Sequence, residues 1–222
     1  MDTAPAGSTA PRWVRPFVVV AAAVSLLLLG ATGGLLIGLP GSSQPEPGPV
    51  DIGFSQDMTV HHLQAVEMAS WERDHTVDPV LAQLSTDIEK TQTAQVGQMQ
   101  GWLTLWEAPT LPLGGHMEWM TGTAGHAHGT AEGDAVDTMP GMASQDELTA
   151  LRAATGEQLD VLFLQLMLRH HEGGAAMLRH GAEHAAVPQV RNMAAQMLSS
   201  QESESEYMRK LLAERGGTPL PL

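Results

Sequence analysis

Two short stretches of this 222-residue chain carry the same chemistry-bearing residues in the same order. The first holds Asp51, Phe54, Met58, His61, His62 and Met68; the second holds Asp160, Phe163, Met167, His170, His171 and Met177, each 109 residues further on. Wound as helices at about 100° per residue, the residues of each stretch fall on one face about 120° wide. Two such faces buried against each other would bring four His and four Met into one interior. Imidazole suits zinc, copper, iron and nickel, whereas the thioether is a soft, weak donor that favours Cu(I) and, by the same softness, Ag(I). Met beside His therefore points to copper. Binding needs neutral imidazole, so affinity should fall as pH drops through the His pKa.

A Met stripe at helical spacing also fills cores with no ligand at all. The adjacent His pairs argue differently, because burying four imidazoles without a ligand or partner is costly. Further candidates follow from the same offset: His75 with His184 near helix ends, as metal neighbours or surface residues, and Met99 with Met208 on other helices, to complete a site or to pack. A Gly-rich stretch between the repeats, 114–143, adds His116, Met117, Met120, Met139 and Met142, read as a flexible loop carrying soft ligands. His126, His128 and His180 have no counterpart in the repeat, and Phe54 and Phe163 read as core.

Composition narrows the chemistry. The chain has 13 Met and 10 His but no Cys, which excludes disulfides, thiolate nucleophiles, iron–sulfur clusters and Cys-based zinc sites and leaves Met as the soft ligand. Acidic residues outnumber basic ones 25 to 11, and the resulting charge of -14 argues against nucleic acid and favours cations. A di-iron carboxylate enzyme would need Glu-x-x-His pairs on inward faces. The residues three before His61 and His170 are Met58 and Met167; only Glu72 and His75 fit, and the counterpart of Glu72 is Gly181. Nothing selects a haem, and no catalytic residues are expected.

The elements that must position these residues are all helical. Each repeat reads as a hairpin: Asp51 to about His75 then Pro79 to about Trp106, and Glu157 to about Ala185 then Pro188 to about Arg215. Asp78-Pro79 supplies a cap and a first-turn Pro, and Gly216-Gly217 a stop. Two such hairpins predict a pseudo-twofold four-helix bundle over 51–222, with repeats 51–113 and 156–222 joined by the loop and a short helix, 114–155, that Ser144 and Glu147 open as a capping box. Gly173 and Gly174 suggest a close helix crossing. Residues 17–39 are uncharged and long enough to span a bilayer. Arg12 and Arg15 before them put the tail 1–16 in the cytoplasm and the rest outside, single-pass, with a cleaved secretory signal as the alternative. Residues 40–50 form a Pro/Gly/Ser linker.

The paired F-x-x-x-M-x-x-H-H-x-x-[AG]-x-x-M segments, the MPGM at Met139 to Met142 and the ELTALRAATGEQLDVLFLQLMLRHHEGGA that follows resemble the domain-of-unknown-function-305 family over about 51–212. The chain departs from the family's more uniform motifs at Leu178 and at Leu63-Gln64. The resemblance implies a ferritin-like four-helix protein, exported or membrane-anchored in a bacterium, of a kind in which some members bind copper and support copper resistance. It implies Met58, His61, His62, Met68, Met167, His170, His171 and Met177 as ligand positions. The expected function is then extracytoplasmic Cu(I) or Ag(I) binding for buffering, trafficking or resistance. A protein-interaction module with a Met/His core, its partner unidentified, and a metal-dependent redox enzyme remain as alternatives. A binder needs both inner faces to meet, an enzyme needs a cleft and an open coordination position, and a module needs an exposed apolar patch.

Overall fold

A computed structural model describes residues 13–36, 45–123 and 136–222. The tail before Trp13, residues 37–44 of the anchor's end and linker, and His126 and His128 lie outside these. The described residues are helical: α1 (Val14–Leu36), α2 (Pro49–His75), α3 (Pro79–Leu105), a 3-10 turn (Glu118–Thr123), α4 (Gln145–Ala153), α5 (Glu157–His184) and α6 (Pro188–Glu214). The chain divides into two units, 1–44 and 45–222. In the first, α1 carries a stretch Pro16–Gly34 of mean hydropathy 2.2, an apolar helix of the kind that serves as a signal or an anchor.

In the second unit α2 packs on α3, α5 on α6, and the two hairpins meet through α2 and α5. Three of the four long helices begin with Pro at the first turn, where its missing N–H costs nothing, and Asp78 caps α3 by accepting from the Val80 N–H. Ser144 and Glu147 form the expected capping box on α4, and Glu147 makes a bidentate pair with Arg169 that fastens α4 to α5.

α2 and α5 run antiparallel, and each hairpin reaches across to the other's turn. The fully buried Asp51 carboxylate accepts from Gly48 N, from Ala186 N at 3.0 Å and from Val187 N at 2.8 Å, so a residue of the first hairpin finishes the connection between α5 and α6. Its counterpart Asp160 accepts from the Thr76 hydroxyl in the connection between α2 and α3, which Arg215 also grips through Asp78. The match is imperfect at one place. Glu72, whose counterpart is Gly181, is fully buried beside Asp160, and burial, then the Asp160 charge, pushes its carboxyl up to about 8.

Gly173 and Gly174 both serve close approach, Gly174 to His61 of α2 at the expected helix crossing and Gly173 to the loop. A Cβ on Gly173 would lie 2.5 Å from the Gly141 backbone, and one on Gly174 would lie 2.9 Å from the His61 ring. The loop's MPGM turn, with Gly141 at φ +82°, therefore docks on α5, where a side chain would exclude it. The described parts of the loop are pinned rather than free. The buried Asp57 carboxylate accepts from His116 Nδ1, Met117 N and Trp119 Nε1, and Trp119 fills the notch left by Gly53.

Asp51→Ala strands three N–H groups, two of them in the far hairpin, and should cost about 3 kcal/mol of stability, read as a lower urea midpoint. Glu72 holds its proton in the folded state between about pH 4.5 and 8. Its contribution is complete below about 4.5 and is lost as pH rises through 8. Glu72→Gln should abolish the fall in unfolding free energy between about pH 6.5 and 8 in a urea series.

Candidate metal centre

The helix faces predicted from spacing do meet. His61, His62 and His170 are fully buried and His171 is 2% exposed, while Met58, Met68, Met167 and Met177 have no exposure. The His61 and His170 rings lie with centroids 3.8 Å apart, tilted by 36°, where α2 crosses α5. His62 and His171 instead reach toward α3 and α6, to Gln95 and Glu204, residues that are themselves 109 apart.

The hydrogen bonds decide which nitrogen is available. His61 Nε2 lies 3.2 Å from the Pro140 carbonyl and His170 Nε2 lies 2.9 Å from the His61 carbonyl. A carbonyl can only accept, so both rings carry their proton on Nε2. His62 Nε2 donates to Gln95 Oε1 at 3.0 Å and His171 Nε2 to a Glu204 carboxylate oxygen at 2.8 Å. All four Nδ1 atoms are buried and have no hydrogen-bond partner. In this tautomer each Nδ1 presents a bare lone pair to the interior, and the opposite N–H is held by an oxygen, as metal-ligating His requires.

Burial keeps His61, His62 and His170 neutral. It lowers His61 to about 4 and His62 to about 3, with neighbouring imidazoles adding repulsion in both, and drives His170 well down. The loss of metal affinity expected near the ordinary His pKa therefore moves to much lower pH.

The four Met do not join the His in one knot. Met58, Met177 and Met99 belong to one half of the core, and Met68, Met167 and Met208 to the other. The 109-residue offset exchanges the two sets, so each half draws Met from both hairpins. Among the described residues no three His, Asp or Glu converge closely enough to hold a metal by themselves.

The remaining candidates scatter. His75 is exposed, stacks on Trp71 at 3.8 Å and bonds the Trp71 carbonyl. His184 is exposed beside His180 and Glu183. His116 is tied to Asp57; Met117 and Met139 are buried core, and Met120 and Met142 are partly buried against it. Sequence reasoning missed the oxygens that orient the rings. The Pro140 carbonyl leaves no side-chain signal, but Gln95 and Glu204 occupy equivalent positions, and the buried, identical Gln92 and Gln201 stood in the repeat itself.

An all-α chain of paired helices with a buried His/Met face defines a class of protein, and comparison with known ones identifies which. The profile of the family called Domain of unknown function (DUF305) matches residues 51–212, and the chain belongs to that family. It is similar to a DUF305 protein from Streptomyces coelicolor, named as a candidate secreted protein, at 40% identity and TM-score 0.69, over 78% of this chain and 98% of that one. A DUF305 fragment from Deinococcus radiodurans is 29% identical with TM-score 0.61, over 77% and 99%. CopM in its Cu(I)-bound form is 21% identical with TM-score 0.56, over 75% and 98%, and that protein is also known in Cu(II)-bound and Ag-bound forms. No curated protein matches the chain.

Because the folded-state His values lie below the unfolded value of 6.5, this part of the stability is complete above about pH 6.5 and is lost as pH falls toward 4. Urea unfolding of the Glu72→Gln variant, which removes the opposing carboxyl, should show stability rising from pH 4 to 6.5 and level above it.

Proposed function

We propose that this protein binds Cu(I), and by the same donor softness Ag(I), outside the cytoplasm, for copper buffering, trafficking or resistance rather than catalysis. The observation that carries this reading is the set of four buried, partnerless Nδ1 atoms in a core that also buries the sulfurs of Met58, Met68, Met167 and Met177. A neutral nitrogen beside neutral sulfur suits a soft monovalent ion better than a hard divalent one. The chain's residues supply orientation: oxygen acceptors fix each Nε2–H, so each ring meets the ion with Nδ1.

We assign Met58, His61, His62, Met68, Met167, His170, His171 and Met177 as the positions that take the ion, with Met99 and Met208 behind them. Support from kinship is coarser: CopM holds Cu(I), Cu(II) and Ag on a similar fold. In this reading residues 17–39 anchor the chain, with 1–16 in the cytoplasm, and 40–50 space a ferritin-like four-helix domain from the membrane. The -14 charge enriches cations around that domain.

Replacing Met58, Met68, Met167 and Met177 with Leu conserves volume and should leave the fold intact. Cu(I) affinity, read by competition with a chromophoric chelator, is expected to fall by about tenfold or more, each decade being about 1.4 kcal/mol, while Zn(II) affinity changes less. A variant that is folded by circular dichroism and binds Cu(I) like wild type would overturn the reading.

A further inference from the structure

A core this closed poses a problem of access. The imidazoles and thioethers are sealed from solvent, so an ion must pass through the wall. One cavity, about 310 Å³ between α5 and α6, reaches His171. Its rim carries Glu172, Glu202, Glu206 and Arg209, and Gln201 lies at its floor. Arg209 is spent on Glu172, at 2.6 Å. Glu202 and Glu206, one turn apart on α6 and both exposed, make no ion pair among the described residues and repel each other, which a cation between them would relieve. Gln201 is 6% exposed, and its Oε1 has no hydrogen-bond partner. An orphaned acceptor at the floor of an acidic cavity is a second sign of a missing positive ligand.

The other hairpin lacks this arrangement. At the 109-residue offset Glu172, Glu202, Glu204 and Glu206 correspond to Leu63, Thr93, Gln95 and Gly97, so all four carboxylates belong to the second hairpin, three lining this cavity and Glu204 lining the cleft against α3. The Met and His motifs are kept in both hairpins, and the acidic rim belongs to one.

Building on the copper-binding reading above, we propose that this cavity is the way in and out for the ion: Glu202 and Glu206 gather it at the rim, Gln201 Oε1 takes it at the floor, and His171 receives it through Nδ1. His171 suits the task because its tether is the partly exposed Glu204 carboxylate, whereas His61 and His170 are tied to backbone. The first hairpin loads from inside the core.

The test is stopped-flow transfer of Cu(I) from a chromophoric chelate to the full chain in detergent. Glu202→Gln with Glu206→Gln should slow uptake and release together by about tenfold, the lower end of electrostatic steering, with the same stoichiometry at saturation and a weaker dependence on salt. Gln201→Leu should slow transfer as well, at little cost to folding since the buried Oε1 that it removes is unpaired. Glu157→Gln with Glu214→Gln removes the same charge elsewhere and should transfer at the wild-type rate. If both pairs slow equally, or neither does, or Gln201→Leu transfers normally, the port is wrong. If the port variants are normal while the four-Met variant loses Cu(I), the core reading stands alone; if the four-Met variant binds like wild type, both fall.

Discussion

Two imidazoles pressed together where α2 crosses α5 set the terms for everything around them. A buried ring keeps a polar edge on both sides, and the protein satisfies one side of each. Holding His61 requires the Pro140 carbonyl, and bringing that carbonyl in requires the MPGM turn to lie against Gly173. Gly174 in turn leaves the ring its space. The loop that joins the hairpins is thus part of the core's architecture, fastened again by Asp57 and by the pair between Glu147 and Arg169.

Electrostatically the interior is arranged in opposition. Burial removes protons from the imidazoles and leaves one on Glu72, so acid and base each destabilise the fold through different residues. The two groups lie at different levels of the bundle, the rings at the crossing and Glu72 beside the Asp160 cap. Between about pH 4.5 and 6.5 their slopes have opposite sign and offset each other, while stability falls toward acid below that window and toward base above it.

Much of this was legible in the residues. Asp78-Pro79, Pro188 and the Ser144 box announce helix starts, and the 109-residue repetition of Met and His shows which faces turn inward. The faces met as the spacing required. The arrangement within them was not legible, because the sorting of Met58, Met99 and Met177 from Met68, Met167 and Met208 depends on antiparallel packing, which a helical wheel does not contain. Backbone acceptors such as the Pro140 carbonyl leave no trace in composition. The start of the loop was misread as loose because His116, Met117 and Trp119 are ordered by a single distant carboxylate, Asp57.

The reciprocal reach of Asp51 and Asp160 has a meaning beyond stability. In a symmetric dimer a residue of one subunit meets a partner residue, and the second subunit returns the same contact. Asp51 on the α5–α6 connection, Asp160 on the α2–α3 connection and His61 against His170 follow that rule within one chain. The two hairpins behave as subunits of an isologous pair that a covalent tether holds at fixed stoichiometry. The tether frees each half to diverge, so one could acquire Glu204 and its acidic neighbours while the other kept Gln95, an asymmetry that a true homodimer could not encode.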